Sequence, residues 1–261
     1  MAAFSPYLEQ KVIGTTLLGS TYTGSNTIWA ALATVLNSFG NLFTEVATTT
    51  GYGRQPIVFG APSAGATNNS TPTTWPSATT PWGGIVGIGL YDSIGGGNQL
   101  YYIPLTATQS ITTSNVFQIP QNQLNIQLSG NWTTYAKNAI LGFTLCGSTY
   151  TTNASPAAAL YTAVTSNGDN TVEIPTATGY ARTPMPFTAP NSVGGIYQTS
   201  NTATASYATA TTPWGNVAYV GVCDSIALGN LLYWAPVTSA QSIFTNNQIQ
   251  IPASNITIQL S

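Results

Sequence analysis

Charge is almost missing from this sequence. Four Lys and Arg and six Asp and Glu make up 4% of 261 residues, against about a quarter in an ordinary soluble domain. With a net charge of −2 there is no basic patch to neutralise phosphates or meet an anionic bilayer, which argues against nucleic acid and membrane surfaces as partners. Histidine is absent altogether. That removes Ser–His and Cys–His couples and the usual metal-ligand sets, so no catalytic centre, metal or cofactor is expected. The two cysteines, Cys146 and Cys223, do not make a zinc site without histidine. No apolar run reaches the ~18 residues of a membrane-spanning helix. The opening MAAFSPYLEQ lacks the basic start and long apolar core of a signal peptide, which leads us to expect synthesis in a cytoplasm.

What is present is apolar and organised. Hydrophobic residues account for 43% and aromatic residues for 11%, in short runs unlike those of a disordered polar chain. The same text is also written twice. ATTPWG stands at 78–83 and again at 210–215, and the 52 residues that each copy opens share 28 identities without a gap. Upstream, LLGSTYT (17–23) matches LCGSTYT (145–151), and GYGRQPIVFGAP (51–62) matches GYARTPMPFTAP (179–190). The offset is 128 in the front half and 132 in the back half, reconciled by one four-residue insertion. The chain is thus read as two tandem units, 1–130 and 131–261, each large enough for its own core. No linker separates them, so they should pack together. Cys146 and Cys223 take the places of Leu18 and Tyr91, as packing residues would.

Each unit opens with a helical signal. In SPYLEQKVIGTTLLG, Ser5 is the N-cap, Pro6 follows at N1, apolar residues recur at helical spacing and Gly19 ends the run. In the second unit Asn131 is the expected cap. The remainder reads as β: TIWAALATV (27–35), RQPIVFG (54–60), GIVGIGLYD (84–92), NQLYYIPL (98–105) and LNIQLS (124–129) are separated by Gly, Asn, Ser and Pro clusters. GIVGIGLYD is apolar on both faces and should be a central strand, whereas LNIQLS alternates and should be half-buried. The glycines of DSIGGGNQL suit a hairpin turn. The expected class is mainly β: two tandem antiparallel β-sandwich-like units, each preceded by a short α-helix.

Six of the ten charges form three matched pairs: Glu45/Glu173, Arg54/Arg182 and Asp92/Asp224. A carboxylate pair for acid–base chemistry is one reading. The preferred one is a structural charge network in which an Arg bridges two carboxylates and ties loop, strand and turn together, since both units must fold but only rarely do both need an active site. Pro81, Trp82, Pro213 and Trp214 of the repeated PWG are assigned to packing. Two polar segments, 61–80 and 189–212, are long enough to be contact-making loops, with Asn68, Asn69, Trp75, Tyr197 and Tyr207 as candidate contacts.

The order of these motifs resembles a family of small tailed-phage virion proteins of the head-decoration and tail-fibre-like kind. The resemblant features are the head helix, the apolar strand, Glu45, GYGRQPIVF, a Trp-Gly, a strand ending in Tyr-Asp and GGNQLYY. The resemblance spans the chain twice, and GYARTPMPF and CDSIALGNLLYW are departures in the second unit. It implies a virion location, after synthesis in a bacterial host's cytoplasm, and a structural rather than enzymatic role. The leading expectation is a capsid decoration or cement protein bound to the major capsid protein or other virion proteins, as a homo-oligomer or symmetric array. A tail fibre or host-glycan adhesin, and a bacterial carbohydrate-binding module, are the alternatives.

Overall fold

The computed structural model describes residues 3–25, 27–37, 43–151 and 155–260. The first unit runs β1 (Ala3–Phe4), α1 (Pro6–Leu17), β2 (Ile28–Leu36), β3 (Phe43–Glu45), β4 (Gln55–Ile57), β5 (Ala66–Asn68), β6 (Thr73–Thr74), β7 (Gly83–Tyr91), β8 (Gln99–Ile111), β9 (Gln118–Ile119) and β10 (Asn125–Gln127). The second runs α2 (Thr134–Leu145), β11 (Ala157–Val164), β12 (Thr171–Glu173), β13 (Thr183–Pro184), β14 (Asn191–Val193), β15 (Ile196–Ser200), β16 (Ala205–Ser206), β17 (Gly215–Cys223), β18 (Leu231–Ile243), β19 (Gln250–Ile251) and β20 (Thr257–Gln259). The architecture is mainly β, with one helix heading each half.

Helix α1 starts where its cap is strongest: the Leu8 N–H donates to Ser5 Oγ at 3.1 Å, and Pro6 occupies N1. Leu8, Val12, Ile13 and Leu17 are buried, and Gly19 takes the positive φ of +65° that turns the chain out of the helix. In the second unit the cap is Thr133 rather than Asn131. Thr133 Oγ1 accepts from Ala136 N at 3.1 Å, while the Asn131 carbonyl is engaged two residues earlier by the Trp234 N–H. The helix begins at Thr134, so Thr133, the extended residue just before it, is the one placed to cap the first turn.

Each unit has one large antiparallel sheet. In the first the order is β1-β8-β7-β2-β3, with β4 also on β2; in the second it is β12-β11-β17-β18, with β13 also on β11. GIVGIGLYD is indeed interior, since β7 lies between β8 and β2. PWG begins this strand for a stereochemical reason. Gly83 and Gly215 hold φ of +86° and +83°, a conformation that costs other residues about 1 kcal/mol. The preceding Trp82 and Trp214 are buried, and their Nε1–H groups donate to the Thr50 and Thr178 carbonyls at 3.1 and 3.0 Å. Pro81 and Pro213 stay exposed.

The two polar segments are not open loops. In 61–80, β5 pairs with β10 and β6 with β9. In 189–212, β14 and β20 flank β15, and β16 pairs with β19. These ribbons share one buried cluster with the main sheets and helices of both halves. Ile126 and Ile258 on β10 and β20 face inward while their neighbours are exposed.

The halves are also strapped to one another. Helix α1 packs on its own β8 and on β15 of the second unit, and α2 packs on its own β18 and on β5 of the first. Thr16 Oγ1 lies 3.0 Å from Tyr233 Oη and Thr144 Oγ1 lies 2.9 Å from Tyr101 Oη, all buried. Both threonine hydroxyls donate back to carbonyls of their own helix, Val12 and Ile140, so the tyrosines are the donors across the boundary. Reciprocal contacts of this kind are the isologous pattern of a twofold dimer, here within one chain.

Candidate interaction surface

The matched charges come first, because a nearly uncharged chain keeps few groups for polar chemistry. Arg54 Nη2 meets Glu45 Oε2 at 2.8 Å. Its Nη1 donates to the Ser93 and Gly96 carbonyls at 2.8 and 2.7 Å, pinning the β7–β8 turn. Tyr52 Oη donates to Glu45 Oε1 at 2.8 Å and accepts from the Leu32 N–H; burial pushes its ionisation well above the ordinary tyrosine range. The second unit repeats this with Arg182, Glu173, Tyr180, Ser225 and Gly229. One part of the expected network is corrected. Asp92 and Asp224 do not meet the arginines but close their own turns, accepting from the N–H of Asn98 and Asn230 at 2.6 and 2.7 Å. The arginine reaches the same turn through carbonyls.

Around the arginine the units differ. Arg54 stacks 3.6 Å from the centre of the Tyr91 ring. Cys223 stands at that place in the second unit, and Tyr161 comes from β11 to fill the space, its Oη 3.5 Å from Cys223 Sγ. A Cβ on Gly89 would meet Tyr91, and a Cβ on Gly221 would meet Tyr161. An aromatic ring thus covers the corresponding glycine from a different strand. Burial lifts the Cys223 thiol to about 11, and both cysteines are free, as packing residues.

Most of the expected contact residues turn out to be interior. Trp75 is 1% exposed, edge-on to Phe117 at 5.4 Å; a buried indole cannot stack a sugar. Tyr207, its counterpart, is also buried, against Tyr180 and Trp214. Asn69 is fully buried: its amide donates to the Thr71 and Pro120 carbonyls, and its Oδ1 accepts from Leu124 N. Asn201 does the same in the second unit. These side chains are inside because the segments that carry them are paired ribbons. Asn68 is half-buried and accepts from Asn125. Half-buried Tyr197 gives its N–H to Glu9 Oε2 at 2.8 Å, across the boundary between units.

Two sites escaped the sequence reading. Glu9 is buried, and burial lifts its carboxyl to about 7 although the Tyr197 N–H partly opposes this. Its signal was a mismatch, since the repeat places Lys137 there. The other is the turn at the end of the β17–β18 hairpin, where Ile226 and Leu228 are exposed, Leu228 completely. Its signal was a leucine where the first unit has Gly96.

No relative among curated proteins matches the chain. A family model does, twice and in tandem: that of the podophage GP4 fiber I protein gp80, over residues 3–127 and 131–259. The duplication read from ATTPWG is therefore a duplication of a family unit, and the chain belongs to this family of phage fibre-type virion proteins.

Proposed function

We propose that the chain is a structural module of a tail-fibre-type appendage of a phage particle, acting by protein–protein contact and without a catalytic step. The observation that carries this is the tandem match to a fibre family over nearly the whole chain. It gives the capsid-decoration reading no specific support. The interior supports a structural role: Arg54 and Arg182 are spent on Glu45, Glu173 and turn carbonyls. Burial of Trp75 takes away one of the two rings, Trp75 and Tyr197, that a glycan-binding reading of the polar segments needs, while Tyr197 stays half-buried.

The test is copy number. The ratio of this protein to the major capsid protein in purified particles, by quantitative mass spectrometry, should be low, as for an appendage. A ratio near one per few shell subunits would restore the decoration role, and absence from the particle would overturn both.

A further inference from the structure

The second unit carries a projection where the first has glycine, and a recess whose wall has smaller side chains than the matching positions of the first. The projection is Leu228. It sits at φ +56° where its counterpart Gly96 sits at +64°, so a side chain has been placed on a left-handed backbone that glycine adopts without strain. It is fully exposed, with Ile226 half-exposed beside it in sequence. The turn beneath is held: Arg182 Nη1 donates to the Ser225 and Gly229 carbonyls, and Asp224 accepts from Asn230 N and Nδ2. A rigid, exposed apolar tip loses little conformational freedom when it docks.

The recess is a cavity of about 350 Å³ over β17 and β18 at the junction of the units, where Phe4 and Leu128 of the first meet Val220, Val222 and Ala235 of the second and Asn131 and Gln259 add polar wall. The first unit carries Ile88, Leu90 and Ile103 where the second has Val220, Val222 and Ala235. Those substitutions remove one, one and three carbons from the wall. The tip closes the hairpin whose strands form part of this wall, and Leu228 is fully exposed, so it does not fill its own recess.

We propose that Leu228 of one copy docks, with Ile226, into the recess of a second copy of the same chain. Leu228 and the wall of Val220, Val222 and Ala235 are apolar, lie in the second unit and depart from the first, whereas Ile226 keeps the exposed isoleucine of its counterpart Ile94. With a net charge of −2 over the whole chain, little repulsion opposes association of copies.

Analytical ultracentrifugation of the purified full chain over a concentration series tests this, apart from any question of where the protein sits on a particle. Wild type associates. Leu228→Gly, which restores the first unit's residue, weakens association at least about thirtyfold, as truncation of an interface anchor does. Ala235→Ile, which refills the recess with the residue of Ile103, does the same. Circular dichroism and Tm confirm that both variants are folded. Mixed in equal amounts, the two variants regain a one-to-one complex, because one supplies the recess and the other the tip. A wild type that stays monomeric, folded variants that associate like wild type, or a mixture that fails to pair would each overturn the proposal.

Discussion

A carboxyl group buried without a counter-charge costs stability when it ionises. Glu9 is in that position, facing the Tyr197 N–H and near Tyr102. Its folded-state pKa of about 7 lies above the ordinary 4.5, so the native chain holds the proton more tightly than the unfolded one. Stability from this group is fully present below about pH 4.5, falls as the pH rises through about 7, and then levels off. Thermal unfolding at about pH 5 and about pH 8 should show wild type losing Tm at the higher pH and Glu9→Gln losing much less; parallel losses would remove Glu9 as the cause. The arginines make a second prediction at this scale. Arg54→Met takes the counter-charge from Glu45, which keeps only the Tyr52 hydroxyl of the donors described above, and removes the arginine donor from two turn carbonyls; it should cost about 3 kcal/mol in urea unfolding. Arg182→Met should cost a similar amount, and a neutral result in either would show that the turn is held by other means.

Among the elements, the strand openings are governed by backbone stereochemistry. Gly215→Ala forces a Cβ onto φ +83° and should lower stability by about 1 kcal/mol. Gly53→Ala, with open space around the added carbon and no left-handed backbone, is the matched control and should be near neutral. Strands and helices were legible because period and punctuation are local: the alternation around Ile126, the two-faced apolar run of β7 and the Ser5-Pro6 start each announce themselves within a few residues. The short ribbons were not. β5 and β6 hold two or three residues each and exist through partners about fifty positions away, so Thr- and Asn-rich text looked like loop. Trp75 and Asn69 were misplaced for the same reason. Asp92 was misassigned because matched charges in a repeat reveal co-residence in a structure, not which atoms touch.

On the scale of the whole molecule, the repeat itself was plain to read, but the exchange of helix contacts was not. Its traces are matched polar residues, Thr16 with Thr144 and Tyr101 with Tyr233, whose pairing becomes visible only when helix and sheet from opposite halves are together. Because each half completes the other, chains 1–130 and 131–261 produced separately should recombine into a one-to-one complex detectable by light scattering after size exclusion. Two halves that remain separate, folded monomers would show the straps to be dispensable. Tyr101→Phe and Tyr233→Phe together, each removing one buried bond, should weaken that complex by about 1–2 kcal/mol.

The straps also bear on time. Glu9 meets Tyr197 and Thr16 meets Tyr233 across 188 and 217 residues of chain, separations at which closing the loop is entropically costly and folding is slow. Contacts that form after the rate-limiting step hold back unfolding far more than they speed folding. We expect the crossed helices to dock after that step and so to lengthen the lifetime of the folded chain. In that case Tyr101→Phe and Tyr233→Phe speed unfolding and leave the refolding rate nearly unchanged, and the protein's persistence depends on the barrier to opening as well as on the folding equilibrium.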